Sequence, residues 1–484
     1  MEGIADPGLV AEPIDVFAFQ PEPAEQYALD EVSPGRGTFF DERIDMLDPG
    51  GAALTAKVLE ILAYGIPRQR KRRQDAQDDH EIRTRKLIAN GLRCHFYRDP
   101  PRTSYFRRAD SYPDKPRWMR GQQLAHAVDD MEVVGLVAAL DSKQSPNKDR
   151  AFSSSYIVSP ALLRLAEECG VAATSIKRQE PPERLVRLYQ RKGPRRFDHE
   201  RGKLAKSQKG EQVQFPPTPE AQDWIERLSA INAFYDRQEI DIGLTGEQLQ
   251  IWLDKYNNDE DRRGAPYRLP ERIQTDLCRI FNNGNPDEPR FDQGGRMAGG
   301  WWLSAPKKLR KFITINGQPT LELDFSACHP RMLYHEAGQD YVKDAYILPE
   351  IEAYERRTGV EPETYRGCIK WQMQVLINCR GKPERADKPD DVEVPPDIPL
   401  SEIVAMIEAE HRPIASAFKT GAGMRLMKRE SDIALKIVET AASQEWTILP
   451  VHDSFITTID RHMELYNLMK ETYYEELNHY PIIR

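Results

Sequence analysis

Apolar and polar positions follow two periods along this chain. Helical spacing, with apolar residues three and four apart, runs through residues 52–64, 80–97 (Ile82, Leu87, Ile88, Leu92, Phe96) and 121–134, and resumes from Pro160. Between these lie a short Gly135-Leu136-Val137 strand, a polar stretch at 141–150 and a strand-like 151–159. In the second half, helical spacing predicts helices over 217–238, 244–258 and 269–281. A hairpin follows, 309–315 and 319–325, with Asn316-Gly317 as the turn. Beyond Tyr334 come a long helical region containing 361–378 and helices over 401–418 and 426–443. A strand at 446–451, a turn at His452-Asp453-Ser454, a return strand at 455–459 and a helix at 462–477 complete the pattern.

These elements predict an α+β chain divided into an acidic mobile tail (1–50), a first domain (51–175), a basic linker (176–215) and a second domain (216–484). In the first domain the order helix, strand, polar loop, strand is that of a winged helix-turn-helix, with the wing at roughly 140–152. Any small α/β domain, or a winged helix that contacts only protein, shares that order. Composition weighs toward nucleic acid. The net charge is −9, but acid is concentrated near the N-terminus and in the Pro-rich stretch 381–399. Basic residues cluster at 66–73, at 83–86 and at 176–210. Arg102, Arg107, Arg108, Arg117, Arg120, Lys148 and Arg150 fall on or near the expected contact elements, where cations neutralise phosphates. A charge run is otherwise a solvated face. The six cysteines are scattered without a CxxC pair, which speaks against zinc and for a reducing cytoplasm. No apolar run approaches the roughly 20 residues of a membrane span, and no secretory signal is visible.

The chemistry centres on two strand-borne aspartates. The alternating run 321–325 delivers Asp324, and the turn after 446–451 delivers Asp453. Two aspartates far apart in sequence, brought together on adjacent strands, suit a two-metal phosphoryl-transfer site. Magnesium (or manganese) takes few protein ligands there, one or two carboxylates with the rest from phosphate and water. Arg366 and Lys370 stand four apart on one predicted helix face, where an arginine fork and a lysine point charge suit a triphosphate. Asn378 lies two turns beyond Lys370. Gly pairs around Arg296, followed by Trp301-Trp302, allow close backbone approach and either a stacking surface or, more simply, tryptophans buried in a strand pair. Each feature alone is weak, and His329 and His452 are equally readable as satisfied structural histidines. The signal is their order along the chain.

That order resembles the catalytic core of the family A DNA polymerases and the related single-subunit RNA polymerases, over roughly residues 265–484. Asp324-Phe325-Ser326, with Arg331 seven residues after the aspartate, resembles the first palm motif; Arg366, Lys370 and Asn378 resemble the fingers helix; Val451-His452-Asp453-Ser454-Phe455 resembles the last palm motif. The resemblance implies a right-hand fold with an antiparallel palm sheet, helical fingers (about 340–425) and a reduced thumb. It implies Asp324 and Asp453 as metal ligands and catalytic residues with Lys370. Arg366, Lys370, Asn378, His329 and Arg296 would bind the nucleotide, and His452, Arg331 and Ser454 would support the primer end and the site. The implied partners are nucleoside triphosphates and a DNA or RNA primer-template, in a cytoplasmic, bacterial or phage-like, nucleoid-associated setting. No proofreading exonuclease is recognisable. His329 stands where the DNA enzymes carry a glutamate that crowds the sugar 2′ position, and Asn378 replaces an aromatic. Deoxy- and ribonucleotides therefore both stay open. The leading expectation is a templated DNA polymerase or primase-like enzyme. A template-independent terminal transferase, an RNA polymerase and a non-catalytic replication initiator are the alternatives.

Overall fold

A computed structural model of the chain describes residues 37–107, 112, 115–120, 122–140, 154–190, 197–198, 203–204, 210–216, 218–259, 265–284, 288–381, 388–389 and 391–484. The fold is α+β, with most strand pairings antiparallel, and divides into two units at Gln179/Glu180.

The first unit contains β1 (Thr38–Phe39), β2 (Ile44–Asp45), α1 (Pro49–Gly65), α2 (Gln74–Tyr97), β3 (Thr103–Tyr105), α3 (Gln123–Val133), β4 (Val137–Leu140), β5 (Ser154–Val158), α4 (Pro160–Glu168) and β6 (Lys177–Arg178). β1, β3, β5 and β4 form one sheet in that order, and β2 pairs with β6. Asp48 caps α1 and Ser159 caps α4, each accepting from a backbone N–H of the first turn, with proline at the helix start. The acidic tail expected over 1–50 ends earlier than its composition suggested, since β1, β2 and the start of α1 lie within 37–50; residues 1–36 are outside the described residues. Of the predicted wing at 140–152, all but Leu140, the last residue of β4, lies outside them as well.

The second unit runs β7 (Val186–Gln190), β8 (Phe197–Asp198), β9 (Lys203–Leu204), β10 (Gln212–Val213), α5 (Pro219–Tyr235), β11 (Ile240–Ile242), α6 (Gly246–Asn257), β12 (Cys278–Gly284), β13 (Gly294–Ala298), α7 (Lys307–Arg310), β14 (Ile313–Ile315) and β15 (Gln318–Asp324). It continues with α8 (Cys328–Glu336), α9 (Pro349–Thr358), α10 (Arg366–Asn378), α11 (Leu400–Glu410), α12 (Gly423–Ser443), β16 (Leu449–Val451), β17 (Ser454–Thr458) and α13 (His462–Leu477). One sheet has the order β10-β7-β12-β13, the other β11-β14-β15-β17-β16, and one hydrophobic core joins them. Helix α12 is the spine, packing on α5, α8, α10, α13, β13 and β16.

The predicted hairpin is present. Asn316 (φ 50) and Gly317 (φ 73) take the two positive φ values of its turn, and β14 pairs antiparallel with β15. Three expectations give way to tertiary structure. The basic segment 176–215 is not a linker throughout: β7 is an inner strand, parallel to β12 and antiparallel to β10. Its Val186 and Leu188 are buried while Arg187 reaches Glu180, so alternation hidden among cations was the strand signal. The helix expected at 269–281 is instead an irregular segment running into β12, because Cys278 and Phe281 complete a sheet rather than a helix face. Trp301 and Trp302 are buried, but in a 3₁₀ turn, not a strand pair. Trp302 Nε1 donates to the Pro450 carbonyl at 3.0 Å, and its ring meets Tyr235 edge-on, whose hydroxyl donates to the Ile448 carbonyl. These contacts hold β16 in place beneath Asp453.

Trp302→Ala is expected to destabilise the protein by about 3–5 kcal/mol through the lost burial and the cavity left behind. A urea or guanidinium melt measures this; a midpoint unchanged from wild type would refute the role given to Trp302.

Candidate active site

β15 and β17 pair so that Asp324 stands opposite Ser454, and the Phe325 N–H donates to the Asp453 carbonyl at 3.0 Å. This register brings two aspartates 129 positions apart to neighbouring points in the lining of one open cavity of about 480 Å³. Asp324, Asp453, His329, Arg296, Arg366 and Lys370 all line it. Six residues named from sequence alone therefore line one cavity. Ala327 (φ 47) and His452 (φ 61) flank the aspartates in the left-handed region, which non-glycine residues rarely adopt. Such strain, on the order of 1–3 kcal/mol per residue, persists where surrounding structure enforces it and collects at functional sites.

Electrostatics in the cavity turn on Glu430, which sequence reasoning missed. It comes from the middle of α12, is 2% exposed, and accepts from Arg296 Nε and Nη2 at 2.9 and 2.7 Å. His329 Nε2 lies 2.7 Å from the same carboxylate. Burial pushes the Glu430 carboxyl up, but the bonds from His329 and Arg296 outweigh it and hold the group below the ordinary glutamate value. Positive φ at Gly294 and Gly295 lets β13 lie close to α12; a Cβ on Gly295 would come within 2.9 Å of Ser431 Oγ. Asp453 has the opposite character: burial, then the nearby charges of Glu430 and Asp324, raise it above the ordinary aspartate value.

The other wall is α10. Arg366 reaches Asp344 at 2.8 Å and packs over the Tyr346 ring, which Lys370 also approaches. Burial above all lifts the Tyr346 hydroxyl to about 12. Gln374, not Asn378, is the next α10 residue in the cavity. Eight residues advance a helix about 80° past the starting face, whereas four advance it only about 40°. Asn378 is exposed and donates to the Gln374 carbonyl at 2.8 Å, and it does not line the cavity.

Three expected support residues lie outside the cavity lining. Arg331 is a buried bracket, donating to the carbonyls of Ser326, Tyr341 and Lys343 at 2.6, 3.2 and 2.8 Å. Ser454 donates to Glu322, which is bound in turn by Arg310 at 2.8 Å. His452 is exposed on its turn. Glu322, Tyr346, Lys307 and Arg484 line the cavity without having been singled out in the sequence. Glu430 carried a usable signal: it sits on the buried stripe of α12 between Leu426 and Ala434, where an apolar residue belongs.

In the first unit, Arg108, Lys148 and Arg150 are outside the described residues. Arg107 is paired with Asp129 at 2.7 Å, Arg117 with Asp75 and Asp79 at 2.8 and 2.6 Å, and Arg120 donates to the Lys115 carbonyl. These arginines have partners inside the unit, which lowers their availability to phosphates. Arg68, Arg70, Lys71 and Arg72 line a separate cavity of about 320 Å³ between α1 and α2. No helix among the described residues is long and apolar enough to cross a membrane. No family model matches the chain, and no curated protein or solved structure matches it.

The opposite shifts of Asp453 and Glu430 give opposite effects on stability. Asp453, raised in the folded state, opposes folding when ionised, and that penalty is relieved as pH falls through its raised pKa. Asp453→Asn is expected to raise the urea midpoint at pH 7. Glu430, lowered in the folded state, stabilises above the ordinary glutamate value and loses that contribution as pH falls through its folded pKa. Glu430→Ala strands Arg296 and is expected to cost on the order of 3 kcal/mol. Equal midpoints for both variants and wild type would contradict the charge arrangement.

Proposed function

We propose that the second unit is a nucleotidyltransferase that extends a nucleic-acid 3′ end with nucleoside triphosphates, in the manner of a templated DNA polymerase or primase. The observation that carries this is the convergence of Asp324 and Asp453 with Arg366, Lys370 and Arg296 around one open cavity. Acid on one side and base on the other is the charge pattern that metal-bound triphosphate needs.

The donor set fits a hard divalent cation. Asp453 is held above its ordinary pKa by burial and by its carboxylate neighbours, a repulsion that a cation would relieve. Asp324 and Asp453 would hold magnesium or manganese, which when bound supply charge stabilisation to the attacking and leaving oxygens. The chain's own groups do the rest. Arg366 and Lys370 grip phosphate oxygens, the arginine by a fork and the lysine by a point charge. Asp344 and Tyr346 keep Arg366 facing the cavity. Glu430 holds His329 and Arg296 in fixed orientations beside Asp324, where sugar and primer end would lie. In this reading His329 would meet the sugar, and its ring is tied back to a carboxylate rather than free to swing.

Primer extension with labelled dNTPs and NTPs, with and without template, tests this. Asp324→Ala and Asp453→Ala are expected to lower incorporation by roughly 10³-fold, about 4 kcal/mol of barrier, with the fold intact by circular dichroism. Lys370→Ala is expected to lose roughly 10²-fold. Equal incorporation by wild type and Asp453→Ala overturns the site. Incorporation without template would assign a terminal transferase, and DNA binding without any incorporation an initiator.

A further inference from the structure

Three side chains meet at a second point, about 120° around α8 from His329. His335 comes from the last turn of α8, Asp340 from the loop after it, and His479 from the segment that follows α13. Asn478, in the left-handed conformation (φ 54), ends α13 and turns the chain toward this point. His479 Nδ1 is 3.0 Å from Asp340 Oδ1, and His335 Nε2 is 3.7 Å from the same oxygen. All three potential ligand atoms fall within 4.8 Å of one another, and the two imidazoles stack with centroids 4.6 Å apart.

The state of His335 gives this cluster direction. Its side chain is 2% exposed, and its Nδ1 is bonded to the Tyr473 hydroxyl at 2.9 Å. Its Nε2 makes no hydrogen bond among the described residues and is aimed at Asp340 from beyond hydrogen-bond reach. In the tautomer that donates Nδ1–H to the tyrosine oxygen, Nε2 carries a lone pair. An imidazole oriented by a hydrogen bond at one nitrogen, with the other turned toward a carboxylate, is arranged as a metal ligand, and the more exposed His479 ring, now stacked on His335, joins it by rotating a nitrogen toward the same point. Around a tetrahedral zinc with bonds of about 2.0–2.1 Å, ligand atoms stand about 3.3 Å apart, between the two separations observed here.

We propose that His335, Asp340 and His479 bind one first-row transition-metal dication, zinc by preference, and so pin the segment at His479 to the end of α8. Two imidazoles and one carboxylate suit zinc and not magnesium, which separates this site from the aspartate pair. Asp340, with its side chain 68% exposed, leaves a fourth position for water. The residues just beyond His479 give the pin a consequence. Ser326 N–H donates to the Ile482 carbonyl at 2.8 Å, and Asp324 and Arg484 exchange backbone bonds at 2.9 and 3.1 Å. The segment that zinc would tether is thus the one that borders Asp324 and carries Arg484 into the cavity. Metal binding itself does not depend on the proposed polymerase activity.

Zinc titration against a chromophoric chelator tests it, on the full chain stripped of metal and kept reduced. One equivalent per chain is expected, and cobalt in its place should show no thiolate-to-metal charge transfer. His335→Ala and His479→Ala should abolish the site, and Tyr473→Phe should weaken it by about 10-fold or more. Zinc should also slow hydrogen exchange across 478–484 in wild type but not in His479→Ala. His335 is buried, so His479→Ala, with a more exposed ring and its fold checked by circular dichroism, is the deciding variant. Zinc binding as tight in His479→Ala as in wild type, or no binding at micromolar zinc, overturns the site whatever primer extension shows.

Discussion

Glu430 lies on the buried stripe of α12, with Leu426 one turn before it and Ala434 one turn after. A carboxylate taken out of water costs several kcal/mol unless opposite charge and hydrogen bonds meet it. Arg296 from β13 and His329 from α8 supply both. The constraint works in two directions. The helix can bury the glutamate only where β13 and α8 present those partners, and those partners keep their orientation only because the glutamate is there. Three elements distant in sequence are fixed around one cavity by this demand. The two glycines before Arg296 exist in that context, since a side chain at Gly295 would hold β13 away from α12.

The same logic repeats at lower stakes around the cavity. Glu322 takes Arg310 and Ser454, and so ties β15 to the 307–310 turn and to the start of β17. Asp344 takes Arg366 and holds the first turn of α10 against the loop after α8. Arg331 replaces missing backbone partners for three carbonyls of that loop and of Ser326. With these groups mutually satisfied, Asp324 and Asp453 are left with carboxylates that no arginine claims by a direct bond among the described residues. Uncommitted acids within locked surroundings are what the proposed cation site would need.

Much of the second unit was legible in the sequence because its signals are local. Asn316-Gly317 dictates its own turn, since both positions need positive φ and few other pairs tolerate it. The four-residue spacing of Arg366 and Lys370 places them on one face of any helix. Alternation over 319–325 and a turn at 452–453 gave the two strands that carry the aspartates. The errors share a physical origin. At 269–281 the apolar spacing fits a helix and a buried strand alike, and β7 and β13 on either side of β12 decided for the strand. The cations of 176–215 concealed a strand whose alternate residues are buried.

By itself, then, the sequence determined what depends on neighbours within a few residues: the hairpin turn, the helix faces, and two aspartates placed at strand ends. Tertiary structure alone decided the β15–β17 register that sets Asp324 against Ser454 and the choice of Glu430 among many acidic residues in helices. Each of these is a matter of what is buried against what. Burial sets the penalty on a charge and the direction of a pKa, and no window of sequence contains both partners when they stand 101 and 134 positions apart, as His329 and Arg296 do from Glu430.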